Sequence, residues 1–258
     1  MAQTVFKRYE IKYLLTRAQQ EALVAAMSPQ MQLDCYGHST VRSLYYDTDT
    51  YRLARRSAEK PVYKEKLRLR CYGEAASAES EIFAELKKKY ASVVYKRRMA
   101  LPEKEADAWL RGCAPPRDTQ IAEEIEYFRR YYETLAPRVF LSYEREAYFD
   151  TAGSDFRVTF DEAILARTEH LSLCCELGGT PLLAPDRVLM EVKTAGGMPL
   201  WFAALLTENR IFHTSFSKYG TAYERLILPK MKNRLSAAVC SAQTNIPVPA
   251  RTREPRLA

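Results

Sequence analysis

Histidine and glycine are scarce in this chain of 258 residues, with three of the first and nine of the second. His38, His170 and His213 stand apart and no C-x-x-C pair accompanies them, so a zinc site is not expected. The glycine pairs Gly178-Gly179 and Gly196-Gly197 lack the context of a phosphate loop and read as turns. The six cysteines never form a C-x-x-C pair, which argues against a disulfide framework; adjacent Cys174 and Cys175 read as small, buried apolar side chains. No stretch approaches the roughly 18 uninterrupted apolar residues of a membrane span. Nor does an apolar leader follow Met1, and the expectation is a soluble, cytoplasmic protein. No internal repeat is visible.

What is present is charge in strand register. Lysine and arginine number 39 against 32 acidic residues, a formal charge of +7 that favours polyanionic partners without choosing among them. Lys64, Lys66, Arg68 and Arg70 recur at every second position, so an extended strand places all four on one face, with Tyr63, Leu67 and Leu69 on the other. Like charges at about 4 Å repel by roughly 4 kcal/mol at an effective dielectric near 20, so something anionic is expected opposite them. The plainer alternative is a solvated strand face.

The same division recurs along the chain. Val5 to Leu15 puts Arg8, Glu10 and Lys12 opposite Tyr9, Ile11, Tyr13 and Leu15, and Ile82 to Tyr90 puts Glu85, Lys87 and Lys89 on one face. Val93 to Met99 carries Lys96 and Arg98 on one side, Tyr95 and Arg97 on the other. Val139 to Phe149 has Tyr143 and Arg145 together. Phe156 to Asp161 groups Arg157, Thr159 and Asp161, and Arg187 to Thr194 groups Glu191 and Lys193. Val41 to Tyr46 is a further strand, running through Asp47-Thr48-Asp49 into a short helix over Tyr51 to Arg56.

Helices are expected after Thr16, with Gln19 as its capping-box partner, and after Pro102. Others are expected over Thr119 to Leu135, over Met198 to Glu208, and over Ser217 to Arg234 with a break at Pro229. Residues 1–235 then form one domain, and 236–258 a flexible basic tail. A sandwich would leave the charged faces outside. An α+β fold built on an antiparallel β-barrel would instead turn them into a charged tunnel, its apolar outside covered by the helices after Leu15, around Thr119 to Leu135 and at the C-terminus. Lone carboxylates among the inward cations, Glu10, Glu85 and Glu191, suit a divalent metal held jointly by protein and phosphate oxygens.

Several of these stretches together also carry a family resemblance. They are Phe6 to Tyr13, Ser43 to Thr48, Lys64 to Arg70, Glu85 to Lys89, Tyr95 to Arg98, Tyr143 with Arg145, Met190 to Lys193, and Ser215 to Gly220. In this order the chain resembles the VTC domain, the polyphosphate polymerase domain of the CYTH or triphosphate tunnel superfamily. The resemblance implies a tunnel in which basic residues grip a triphosphate or a growing polyphosphate chain. It implies phosphate contacts at Lys12, Arg68, Arg70, Lys87, Lys96, Arg145, Ser217 and Lys218; strand parity adds Lys64, Lys66, Arg157 and Lys193. Glu191 is then the carboxylate for Mn2+ or Mg2+, with Glu10 and Glu85 as further candidates, and Arg68, Arg70, Lys87, Arg145 and Glu191 form the catalytic set.

Two positions depart from the family. Arg8 stands where the first-strand motif has a glutamate, implying fewer metal ligands, and Ser215 stands where eukaryotic polymerase members have a lysine. The expected reaction moves the terminal phosphate of a nucleoside triphosphate such as ATP onto polyphosphate. A triphosphatase using water, and a non-catalytic polyphosphate or nucleic-acid binder that uses tyrosines for stacking, are the alternatives; the tyrosines fall mainly on the apolar parity, so no specific nucleic acid is expected.

Overall fold

Strands with one apolar and one charged face bury only the first, and this chain does so by rolling its sheet with the charged faces inward. The computed structural model describes residues 5–59, 61–73 and 75–233. Its long strands are β1 (Val5–Thr16), β2 (Met31–Asp47), β3 (Tyr63–Tyr72), β4 (Glu81–Tyr90), β5 (Val93–Pro102), β6 (Ala136–Asp150) and β7 (Arg157–Arg167). Shorter ones are β8 (Thr180–Pro181), β9 (Arg187–Thr194) and β10 (His213–Thr214). The antiparallel pairing runs β1-β5-β4-β3-β2-β6-β7-β9 and returns from β9 to β1, so the sheet closes as a ring. Closure rests on β1, whose residues 5–8 pair with β5 and whose residues 9–16 pair with β9. A closed sheet offers no long free edge to other chains.

The apolar outside is covered in two places. Leu67, Leu69, Leu86, Leu101 and Phe140 pack under α3 (Glu103–Leu110) and α4 (Gln120–Tyr131) through Trp109, Leu110, Ile125 and Phe128. Tyr13, Leu15, Val158, Phe160, Val188, Met190 and Val192 pack under α1 (Arg17–Met27) and α5 (Leu200–Glu208) through Leu23, Met27, Phe202 and Leu206. Each fully buried aliphatic contributes roughly 1.5–3 kcal/mol, which secures the ring from outside. The capping box at α1 forms as expected: Thr16 Oγ1 accepts from the Gln19 amide at 3.2 Å and Gln19 Oε1 accepts from the Thr16 amide at 3.0 Å.

The C-terminal helix departs from its expected place on the outer face. Helix α6 (Lys218–Ala222), which continues to residue 233, packs Tyr219, Ala222, Tyr223 and Ile227 against Val41, Val139, Leu141, Ile164 and Leu189. Val139, Leu141 and Leu189 lie directly across from Tyr45, Ser43 and Asp161, on the inner side of the ring, so this helix stops one end of it. The break expected at Pro229 is absorbed by a π-helical turn over Tyr223–Ile227 just before it, since a wider turn accommodates a residue without an amide hydrogen. Strand β7 also runs past its expected end. Ala163 takes a left-handed φ of 47° and the β6 register slips beside it, so Asp161 faces in before the bulge and Ile164 after it.

Other boundaries shift. α4 ends at Tyr131 and Pro137 lies within β6, while β2 begins ten residues before the expected Val41. Cys174 is exposed and Cys175 half-buried, which corrects the buried pair. Gly178 and Gly179 lie in irregular backbone just before β8 rather than in a turn, and Gly179, φ 142°, comes so close to β7 that an added Cβ would sit 2.4 Å from the Ala166 carbonyl oxygen. No helix among the described residues is long and apolar enough to cross a membrane, and the expected tail at 236–258 lies outside the described residues.

Asp47, at the end of β2, links two helices. Its carboxylate is fully buried and accepts from the amides of Thr48, Leu53 and Ala54, the last two in the first turns of α2 (Arg52–Ala58), and from the Tyr219 hydroxyl of α6. Asp47→Ala orphans these donors, and we expect a loss of about 3 kcal/mol or more. That lowers the melting temperature by roughly 6–12 °C, and a shift under about 2 °C in a thermal denaturation scan contradicts the linking role.

Candidate active site

Register carries the alternation of each strand into one interior. Arg68 lies across from Glu85 and Tyr45, Lys66 from Lys87, Lys87 from Lys96, Lys12 from Glu191, and Glu10 from Lys193. Arg70, Arg145 and Lys218 add further interior cations, and Lys64 stands at the α2 end of β3, donating to the Ser57 carbonyl at 3.4 Å. Among the described residues four carboxylates stand with them: Glu10, Glu85, Asp161 and Glu191.

Each carboxylate is shared by more than one cation. Glu85, with no exposed surface, takes Arg68 at 2.6 Å and Lys96 at 3.3 Å. Glu10 takes Lys87 at 2.8 Å and Lys12 at 3.4 Å. Glu191 has four partners, Lys193 at 2.9 Å, Lys218 at 3.1 Å, Arg145 at 3.3 Å and Lys12 at 3.4 Å. Asp161 pairs with both Arg145 and Lys218. Burial alone would raise Glu191, but Lys193, Lys218, Lys12 and Arg145 outweigh it and hold the group well below the usual carboxylate range. Arg68, Arg70 and Lys96 do the same for Glu85 against its burial.

The lysines bear the converse strain. Burial lowers Lys66 well below its ordinary value, and Lys12, Lys87, Lys64 and Arg68 lower it further; its hydrogen bond is to the Ser217 hydroxyl at 3.1 Å. Burial draws Lys96 down to about 7 despite Glu85, and Lys193 to about 7 despite Glu191.

The expected site residues therefore largely converge, with differences in role. Ser217 is the N-cap of α6, accepting from the Gly220 amide, as well as the partner of Lys66. Arg157 stands at the mouth, its side chain 42% exposed and bonded to Asp34 at 3.3 Å. Strand parity placed Tyr143 with Arg145 and Asp161 with Thr159; it missed the inward Tyr45 and the roles of all three. Tyr45 and Tyr143 are not on the apolar outer parity: their hydroxyls accept from Arg68 Nη1 and Arg70 Nη2, each at 2.8 Å.

The donor set limits how a metal is held. Among the described residues no three His, Cys, Asp or Glu side chains cluster to hold an ion. All three candidates face cations through both oxygens; Glu191 and Glu10, near enough to influence each other's ionisation, are met mainly by mobile lysines that a metal could displace, whereas Glu85 is fully buried against the fork of Arg68. This set fits Mg2+ or Mn2+ only where phosphate oxygens and water complete the shell. A groove of about 400 Å3 beside α4, lined by residues such as Arg117, Glu123 and Tyr127, contains none of these side chains.

A closed antiparallel ring with a cationic interior and flanking helices is the CYTH-like triphosphate tunnel architecture. The structure is similar to that of a putative adenylate cyclase from Bacillus halodurans, at 15% identity and a TM-score of 0.54, over 87% of this chain and 100% of the other. It is also similar to a putative adenylyl cyclase from Hippeastrum described as having a dominant triphosphatase activity, at 17% identity and TM-score 0.51, over 82% and 93% of the two chains. Likeness at such identities establishes the fold. Within that class the family is specific: residues 7–227 match the VTC domain, and the chain belongs to that family. No curated protein matches it in sequence.

The depressed lysines set a pH dependence. An unfolded lysine keeps its proton to about 10.4, whereas Lys96 releases it near 7 when folded and Lys66 also releases it early. Above neutrality the unfolded chain binds more protons, so stability of the ligand-free protein rises with pH from about 7 towards 10. An anion in the tunnel restores the protons. We expect tripolyphosphate binding to take up protons at pH 8 and to weaken as pH rises, measured by calorimetry in buffers of different ionisation enthalpy; binding without proton uptake contradicts the assignment.

Proposed function

We propose that this protein is a polyphosphate polymerase-like phosphotransferase, moving the terminal phosphate of a nucleoside triphosphate onto a polyphosphate chain within the tunnel. The observation that carries this reading is that all four interior carboxylates are committed to cations. Hydrolysis asks for a base to take a proton from water, and a carboxylate held far below its ordinary range is a poor one. A phosphate acceptor arrives already ionised and needs no base. Lys66, surrounded by like charge and bonded to a hydroxyl, supports a linear polyanion as the missing countercharge.

In this mechanism Arg68, Arg70, Arg145 and Lys218 hold the transferring phosphoryl group, while Lys12, Lys66, Lys87 and Lys96 hold the phosphates before and after it. A terminal oxygen of the acceptor chain attacks the γ-phosphorus. The bond from that phosphorus to the β–γ bridging oxygen breaks, and the nucleoside diphosphate leaves with the electron pair. Fixed cations stabilise the negative charge spread over the equatorial oxygens, and the enclosed interior makes each of them count for more than in water. Lys96 and Lys193, poised near neutrality in the empty tunnel, become charged beside phosphate and act as cations rather than bases. Glu191 with Glu10 would hold Mg2+ or Mn2+, which neutralises phosphate charge when bound. Glu85 has a positioning role, fixing Arg68.

Incubation with ATP, Mn2+ and a short polyphosphate primer should yield chains that lengthen with time on a gel. Glu191→Gln keeps an oxygen but loses the charge, and should lower that turnover at least 100-fold; it should also lower the melting temperature of the ligand-free protein, because Lys12, Arg145, Lys193 and Lys218 lose their shared carboxylate. Orthophosphate as the sole product under priming conditions overturns the polymerase reading in favour of the triphosphatase. Full activity of Glu191→Gln with Mn2+ removes Glu191 from the metal site.

A further inference from the structure

Three consecutive residues at the start of α6 each reach a different wall of the ring. Ser217 accepts from Lys66 of β3, Lys218 pairs with Asp161 of β7 and Glu191 of β9, and Tyr219 donates to Asp47 of β2 at 2.6 Å. The Tyr219 ring, 1% exposed, lies flat on that of Tyr45, with centroids 4.8 Å apart and planes within 5°. Tyr45 in turn meets Arg68, whose guanidinium lies 5.6 Å from the ring centre and donates from Nη1 to the hydroxyl.

The other edge of Arg68 is fixed as well. Glu85 accepts from Nε at 2.8 Å and faces Nη2 at 2.6 Å. A guanidinium carries five N–H donors in one plane. With Glu85 and Tyr45 served, one donor remains on each terminal nitrogen, a spacing suited to two oxygens of one phosphate. Glu85 alone would leave the fork free to tilt about that edge, and Tyr45 supplies the second point that sets the plane. Tyr45 stays in place only while its ring has something to lie on, and Tyr219 is that support, itself tied at its hydroxyl to Asp47.

We infer that Tyr219, acting from the closing helix through the stacked ring of Tyr45, is a positioning residue that sets the plane in which Arg68 offers its remaining donors to phosphate. This rests on the reading of the tunnel as a phosphate site. The chemistry recognised is a chain phosphate with two free oxygens, and the helix that stops the ring thereby sets the grip inside it.

The test is a set of double-mutant cycles read as tripolyphosphate affinity by calorimetry. Tyr45→Phe and Tyr219→Leu should each weaken binding by about tenfold, the scale of one charged hydrogen bond. Tyr219→Phe, which keeps the ring, should stay within about threefold of the unaltered chain. In an Arg68→Ala background the losses from Tyr45→Phe and Tyr219→Leu should shrink to under about twofold, because their effect passes through that side chain. Losses of equal size in both backgrounds, or no loss in the single variants, overturn the inference and leave the phosphate site standing. If the unaltered chain does not bind tripolyphosphate, the phosphate-site reading falls and takes the inference with it.

Discussion

The interior of this ring holds more positive charge than its own carboxylates can balance, and the rest of the structure answers that constraint. Two unit charges 4 Å apart at an effective dielectric near 20 repel by about 4 kcal/mol, so crowded lysines and arginines would burst a sheet held only by its ladders. The outward faces counter this with leucines, phenylalanines and Trp109 packed beneath helices on two sides. Inside, each carboxylate divides itself among several cations, and Glu191 alone serves four. Removing any one of them would leave several charges uncompensated at once.

Two of these carboxylates illustrate how similar chemistry is put to different ends. Glu85 has no exposed surface and faces the side of Arg68, so its pairing is directional and fixes a guanidinium plane. Glu191 is met mainly by flexible ammonium groups, Lys12, Lys193 and Lys218, with Arg145 at one corner. An ammonium is a point charge on a mobile stem and is easily drawn to a competing anion, whereas a paired fork is not. In the proposed mechanism, arriving phosphate would loosen the shell around Glu191 while leaving that around Glu85 intact.

Much of this was legible because side-chain parity in a strand is a hard geometric rule. Lys12, Arg68, Arg70, Lys87, Lys96, Arg145 and Glu191 could be placed on charged faces from spacing alone, and the helices over the apolar faces followed from theirs. Hidden features were those in which parity breaks or distant segments meet. Nothing in the run Asp161 to Ile164 announces a left-handed Ala163, yet that one residue lets β7 present a carboxylate and then an isoleucine to the interior. Tyr45 looks like a core residue by type, and Tyr143, though parity set it beside Arg145, gains a purpose for its hydroxyl only from Arg70 across the sheet, as Tyr45 does from Arg68. The place of α6 was unreadable for a further reason: its apolar stripe fits an outer face and an open ring end equally well.

The divided pairing of β1 gives the ring a birth order. Its first residues can join β5 once about a hundred residues exist, but its later half must wait for β9, some 170 residues further along the chain. At 5–20 residues per second a ribosome needs roughly 10–35 s to cover that distance, far longer than a hairpin takes to form. Throughout that interval the half of β1 that carries Glu10 and Lys12 has no ladder partner, and the sheet is an open strip with its cations spread in water. The crowding of charge inside the ring is thus deferred until the strand bearing Glu191 and Lys193 arrives to close the circle around Lys12, and Lys218 joins that carboxylate later still, with α6.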